Sequence, residues 1–304
     1  MKQLFSLLIL SALSAAALGA LLPTKAGTTR KDLCAGFLPP NNLAIPPNAA
    51  NLPRSGISQA NYNEVIDRVL AEYSGDVRAK GATLFINRLW EDARVNAFAY
   101  QSGSSWFIEV YGGMARHNSM TYDGFAAVVC HEVGHHVGGA PKFIDETWAS
   151  IEGQADYFAS LKCLRRVFAK DDNESIIARK PLDPLAVQAC RQEHQAVAET
   201  ALCIRSTTAA VELSGLMAQL DENPRIPRLN TPDRRRVVVT FESHPRAQCR
   251  LDTYFQGALC SQPAGIDPDP EDFRIGTCVE PSVFLRGIRP RCWFAPPQRY
   301  HNQL

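Results

Sequence analysis

The chain has 304 residues, 45% of them hydrophobic, which is enough for one sizeable folded unit with an appendage. Charge is nearly balanced, 32 Lys and Arg against 31 Asp and Glu, and this excludes the basic excess of a nucleic-acid-binding surface. A charged fraction of 21% beside that apolar content excludes wholesale disorder.

The first segment is an export signal in form. Lys2 precedes a long apolar run, and Ala17-Leu18-Gly19 supplies small residues where a signal peptidase reads. A signal peptide over residues 1–20, cleaved near Gly19 or Ala20, is expected. An uncleaved anchor is the alternative, since residues 4–22 just suffice to cross a hydrocarbon core. Either route leaves the folded part exported, periplasmic or secreted. The first cysteine, Cys34, stands well beyond the apolar run, so a bacterial lipoprotein anchor is not supported. No stretch of the mature part is apolar enough to span a bilayer.

Residues 21–57 are rich in Pro, Asn and Gly and read as an extended lead-in. A domain over 58–260 follows. Ser58 is a candidate N-cap, and Val65, Ile66, Val69 and Leu70 recur at helical spacing. Three strand-like runs come next, at 83–90, 95–100 and 105–111, the last ended by Gly112 and Gly113. A helix over 122–137 stops at Gly138-Gly139, and another is predicted over 145–169. Residues 184–220 read as one long helix or two joined ones, 221–240 as a loop with a basic cluster, and a short helix is expected from Pro245. Residues 261–304 form a Cys- and Pro-rich tail. The predicted class is α+β, mainly helical, with a small sheet beside the 122–137 helix.

Nine cysteines in an exported chain imply disulfides, with at least one thiol left over. Cys130, inside an apolar helix, is the candidate free thiol, where it behaves as a small hydrophobe. If Cys190 and Cys203 share one helix they lie roughly 20 Å apart, beyond the ~7 Å a disulfide allows. They are then expected to pair elsewhere, with Cys163 and Cys34 available. Cys249 and Cys260 are similarly separated if their helix is straight. Cys278 and Cys292 become their natural partners, which staples the tail to the domain.

His131-Glu132-Val133-Gly134-His135 carries the chemistry. His131 and His135 are four apart, so on a helix they share a face and can chelate one ion. Glu132 is offset by one residue, so its carboxylate can reach a water on the metal without ligating. A catalytic zinc takes three protein ligands and keeps one open position. Glu152 and Asp156, again four apart, lie among Trp148, Ala149, Ile151, Ala155, Tyr157 and Phe158, where a carboxylate needs a partner. Glu152 is assigned as the third ligand of one Zn2+ per chain. Asp156 is assigned as the acceptor that holds a histidine's other nitrogen. Gly134 and Gly153 flank the site and suggest close approach of a neighbouring helix or substrate.

With these motifs the chain resembles the HtpX, BepA, Oma and CAAX-prenyl-protease type of zinc peptidases, which are gluzincins. Asn96-Ala97-Phe98-Ala99 looks like the family's strand before the active-site helix, and His131 to His135 like its zinc motif. Glu152 to Asp156 is similar to its Glu-three-residues-Asp motif, and Ser243-His244-Pro245 with Arg250 to its late motif. The resemblance covers roughly residues 60–258. It implies a gluzincin-type domain, and for His244 a role in stabilising the oxyanion of a tetrahedral intermediate or, at rest, in binding zinc. Arg250 reads as a structural ion-pair partner. The chain lacks the extra membrane spans of two branches, and so looks closer to the soluble periplasmic branch.

The expected activity is zinc-dependent endopeptidase cleavage of envelope or misfolded polypeptides, with Glu132 as general base and His244 at the oxyanion. Substrate would add as a strand along a sheet edge, either around 106–111 or at Asn96, Ala97 and Phe98. No nucleic acid or membrane span enters this reading. A latent enzyme or an inactive relative that binds envelope proteins is the alternative. In a latent form, the lead-in, the 221–240 loop or the tail could cover the cleft.

Overall fold

Helix α1 (Gln59–Ala79) begins where its cap residue predicts, with the Ser58 hydroxyl accepting from the Asn61 amide at 3.1 Å. It turns Tyr62, Val65, Ile66, Val69, Tyr73 and Val77 into the core. The computed structural model describes residues 36–47, 56–222, 224–279 and 286–297, all within the unit Asp32–Leu304. The expected signal segment 1–20, with its expected cleavage site near Gly19 or Ala20, and Cys34 lie outside the described residues.

Strands β1 (Thr83–Leu89), β2 (Ala97–Ser102) and β3 (Ser105–Tyr111) form a sheet of order β1-β3-β2. β1 runs parallel to β3, with Thr83 opposite Ser105; β2 runs antiparallel to it, with Ala97 opposite Val110. This corrects one expectation. The run around 106–111 is the central strand, so it offers no edge; the edge belongs to β2. β2 also starts two residues later than predicted. The Val95 amide is taken by Leu43 O at 3.2 Å, and Asn96 turns its side chain to Leu38 instead of into the ladder.

A short helix α2 (Gly112–Arg116) leads to α3 (Tyr122–Val137), capped by the Thr121 hydroxyl at Gly124 N. Every residue of α3 from Asp123 onward is buried, since α1, the sheet and later helices surround it. The next predicted helix starts seven residues late. Residues 142–150 instead form a loop closed by a Lys142–Ser150 bridge, with the Ser150 amide donating to His135 O at 2.9 Å. Then α4 (Glu152–Phe158) passes through a π-turn at Ala159–Cys163 into α5 (Leu164–Val167). Glycine at 134 lets α4 approach α3: a Cβ there would stand 2.9 Å from Ala155 Cα.

Helix α6 (Asn173–Ile177) precedes α7 (Pro184–Glu193) and α8 (Val197–Ala218), and α9 (Ala247–Leu259) packs against α8 and α4. His194, extended at φ −116° and ψ 121°, breaks the 184–220 stretch into two helices. That break overturns the expectation for Cys190 and Cys203, whose Cα atoms come within 5.7 Å and which are bonded to each other. Cys130 is likewise not free but bonded to Cys163 of the π-turn, joining the helix of the His pair to the helix of the carboxylates. Cys249–Cys292 and Cys260–Cys278 staple the tail to α9, as predicted. Four disulfides fit an oxidising, exported compartment. Among the described residues no helix is long and apolar enough to cross a membrane.

Candidate metal centre

α3 presents His131 and His135 one turn apart, and α4 brings Glu152 against them. The ligand-capable atoms of the three residues lie within 4.8 Å of one another, all buried. His131 Nδ1 faces Asp156 Oδ1 at 2.8 Å, and His135 Nδ1 faces the Ser150 carbonyl at 2.8 Å. Both partners are pure acceptors, so both Nδ1 atoms carry the proton. The two Nε2 atoms then face each other across 3.1 Å. Glu152 Oε2 stands 3.2 Å from His131 Nε2, and Oε1 stands 3.9 Å from His135 Nε2. Neither Glu152 oxygen has a hydrogen-bond partner. Buried electron-pair donors that converge in this way are costly unless a cation compensates. The residues therefore fit a metal ion.

Electrostatics point the same way. Burial lowers His131, yet Asp156 and Glu152 override it and hold it up to about 9. The site thus demands positive charge at this nitrogen, as a proton or as a metal in its place. Burial pushes His135 down to about 4. Burial opposes ionisation of Glu152, but His244, His135 and His131 outweigh it and hold the carboxyl down to about 2. Asp156 is fixed in turn by Arg250, whose Nε and Nη2 donate to its two oxygens at 2.8 Å each. Arg250 is thus the ion-pair partner its position suggested, one step behind His131.

Glu132 is fully buried, and neither of its oxygens has a partner. Burial pushes its carboxyl up to about 8, opposed by His131 and reinforced by Glu152. His244 arrives from the loop before α9, with Nε2 at 3.3 Å from Glu152 Oε2. That nitrogen donates to the Gly36 carbonyl at 2.6 Å, so in this arrangement it is a proton donor and not a ligand lone pair.

No family model, curated protein or solved structure matches the chain. The geometry of the site therefore carries the functional reading.

Two residues at the centre had no sequence signal. Ser150 acts through its backbone carbonyl, which any residue could supply. Phe37 lies edge-on to His131, ring centres 5.2 Å apart, from a lead-in read only as extended chain. His136 is structural: its ring stacks between Trp106 and Trp148 while Nε2 donates to Phe107 O at 3.1 Å. A second grouping of Asp233, Cys249 and Cys292 is no metal site, because its two sulfurs are bonded to each other.

Proposed function

We propose that the chain is a zinc-dependent endopeptidase of gluzincin type, with His131, His135 and Glu152 as ligands. The observation that carries this reading is the convergence of two buried imidazole nitrogens and the Glu152 carboxylate within 4.8 Å, beside a second buried carboxylate, Glu132, whose oxygens have no partner. Three N/O ligands on two helices suit a catalytic zinc, whereas structural sites close four ligands. Zinc held there supplies a Lewis acid for a carbonyl and an attacking water. Glu132 accepts the water's proton and passes it to the leaving amine, a role for which a carboxyl near neutrality is suited. His244 donates to the developing oxyanion, a contact worth about 3 kcal/mol in comparable sites.

Substrate backbone is held by the edge of β2. Tyr111 N bonds Asn96 O at 3.4 Å, which sets the parity of the ladder. Ala97, Ala99 and Gln101 therefore turn their main-chain groups away from β3. An extended polypeptide reads those groups with little demand on its side chains. Envelope or misfolded polypeptides are the substrate class that fits an exported enzyme of this kind.

The test compares casein hydrolysis by the wild type and Glu132→Gln, with zinc content measured on the same samples. Both proteins are expected to hold one zinc, with cleavage lower in the variant by about 10²–10⁴-fold. Measurable cleavage that is equal in both, or zinc in neither, overturns the reading.

A further inference from the structure

Residues 36–45 run beside residues 93–97 and meet the proposed substrate edge at Ala97, the first residue of β2. Ile45 N donates to Ala93 O at 2.7 Å and Val95 N to Leu43 O at 3.2 Å, with Ala44 bridged antiparallel to Arg94. Further along, Phe37 N donates to Ala97 O at 3.0 Å. Asn96 grips Leu38 as a strand would, accepting from its amide and donating to its carbonyl at 2.9 Å each.

Gly36 and Phe37 make polar contacts to His244 and to Arg250, the residue that holds Asp156. Gly36 O accepts from His244, and Phe37 O accepts from Arg250 Nη1 at 2.5 Å. The Phe37 ring lies against His131, with the Arg250 guanidinium 4.5 Å from its centre. Phe37 and Leu38 are fully buried. Gly36 makes this approach possible: its φ is +81°, and a Cβ would fall 2.6 Å from Ala97 O and 2.7 Å from the Phe98 ring. A cleft of about 360 Å³ opens beside the segment, with Leu38 and Pro39 in its wall together with Phe241, His244 and Arg250.

We propose that residues 36–38 are a built-in occupant of the substrate cleft, a segment that stands where polypeptide substrate binds and keeps the enzyme latent until displaced. The Gly36 carbonyl occupies the acceptor position at His244 that a substrate carbonyl would take, and Phe37 roofs His131. Regulation of peptide cleavage rests on the peptidase reading above; occlusion of the metal centre does not. Substrate and lead-in compete for one edge, so the rate follows the fraction of molecules with the segment released.

Gly36→Ala and Phe37→Ala in the full chain test this. Each is loaded with zinc and followed for zinc withdrawal by EDTA, for casein cleavage and for thermal midpoint. Zinc withdrawal and cleavage are both expected to rise at least about tenfold, with the fold retained. Faster withdrawal without cleavage keeps the occlusion and removes the peptidase reading. Folded variants that match the wild type in both rates overturn the proposal. So does loss of the fold in both variants, since a removable occupant is not required for folding. Hydrogen exchange on the wild type adds an arm independent of metal: the Phe37 and Leu38 amides are expected to exchange at least about tenfold faster than the buried amides of α1. Equal protection overturns the proposal.

Discussion

Glu132 is a carboxyl kept out of water with neither oxygen bonded, and such a group costs folding free energy on the order of 1–3 kcal/mol or more. Its neighbours treat carboxylates differently. Asp156 spends both oxygens, on His131 and on Arg250. The contrast separates a group held for chemistry from a group held for position. Asp156 fixes the orientation of His131 and turns its other nitrogen toward Glu152 and His135, where the proposed metal would sit. Asp156→Asn is therefore expected to weaken zinc binding about 10–100-fold, read by competition against a chelator of known affinity. Unchanged affinity would mean that Asp156 serves only Arg250. At this scale the sequence was most legible, because the four-residue spacing of His131/His135 and of Glu152/Asp156 is itself helix geometry. What escaped it was backbone: the Ser150 carbonyl and the Gly36 carbonyl carry no letter of their own.

Helices read well where one residue class runs through a whole element, and poorly where a few residues interrupt it. The 122–137 helix was legible from its apolar run and its closing glycines. The 145–169 helix was not, because its first seven residues are spent on the loop that delivers Ser150 to His135. Two joined helices over 184–220 were one of the two readings, but the position of the break at His194 was hidden among good helix formers, and with it the Cys190–Cys203 bridge. Gly134 and Gly153 were read as marks of close approach by a helix or substrate; Gly134 does meet the helix of Ala155, whereas a Cβ on Gly153 would stand 2.3 Å from the Trp293 ring of the tail. The π-turn carries Lys162, fully buried, its Nζ donating to Pro263 O at 2.6 Å. Burial holds this amine down to about 7 from 10.5. The unfolded chain thus takes up the lysine proton at higher pH than the folded one. Stability is lost as pH falls from about 10 toward 7 and changes no further below. Lys162→Met removes that loss. The variant's gain in urea midpoint over the wild type is expected to grow between about pH 10 and pH 7. A pH-independent difference would contradict it.

Across the whole molecule, segments distant in sequence close on one point. The lead-in covers the metal centre from one end of the chain, through Gly36 and Phe37. The tail backs it from the other, through Trp293 on Gly153 and the Cys249–Cys292 bridge to the helix that carries Arg250. Disulfides of this kind contribute about 2–4 kcal/mol each, and here three of the four join elements that carry or flank site residues. The class α+β and the stapled tail could be read from the sequence. The placement of the lead-in could not, because an extended Pro- and Asn-rich segment shows no periodicity to say what it will pair with. The central claim is that α3 and α4 meet to hold one zinc. It is tested most directly by anomalous scattering at the zinc absorption edge from crystals of the full chain. One peak bounded by His131, His135 and Glu152 is the predicted result; no peak there, or a peak held by other residues, would contradict the account.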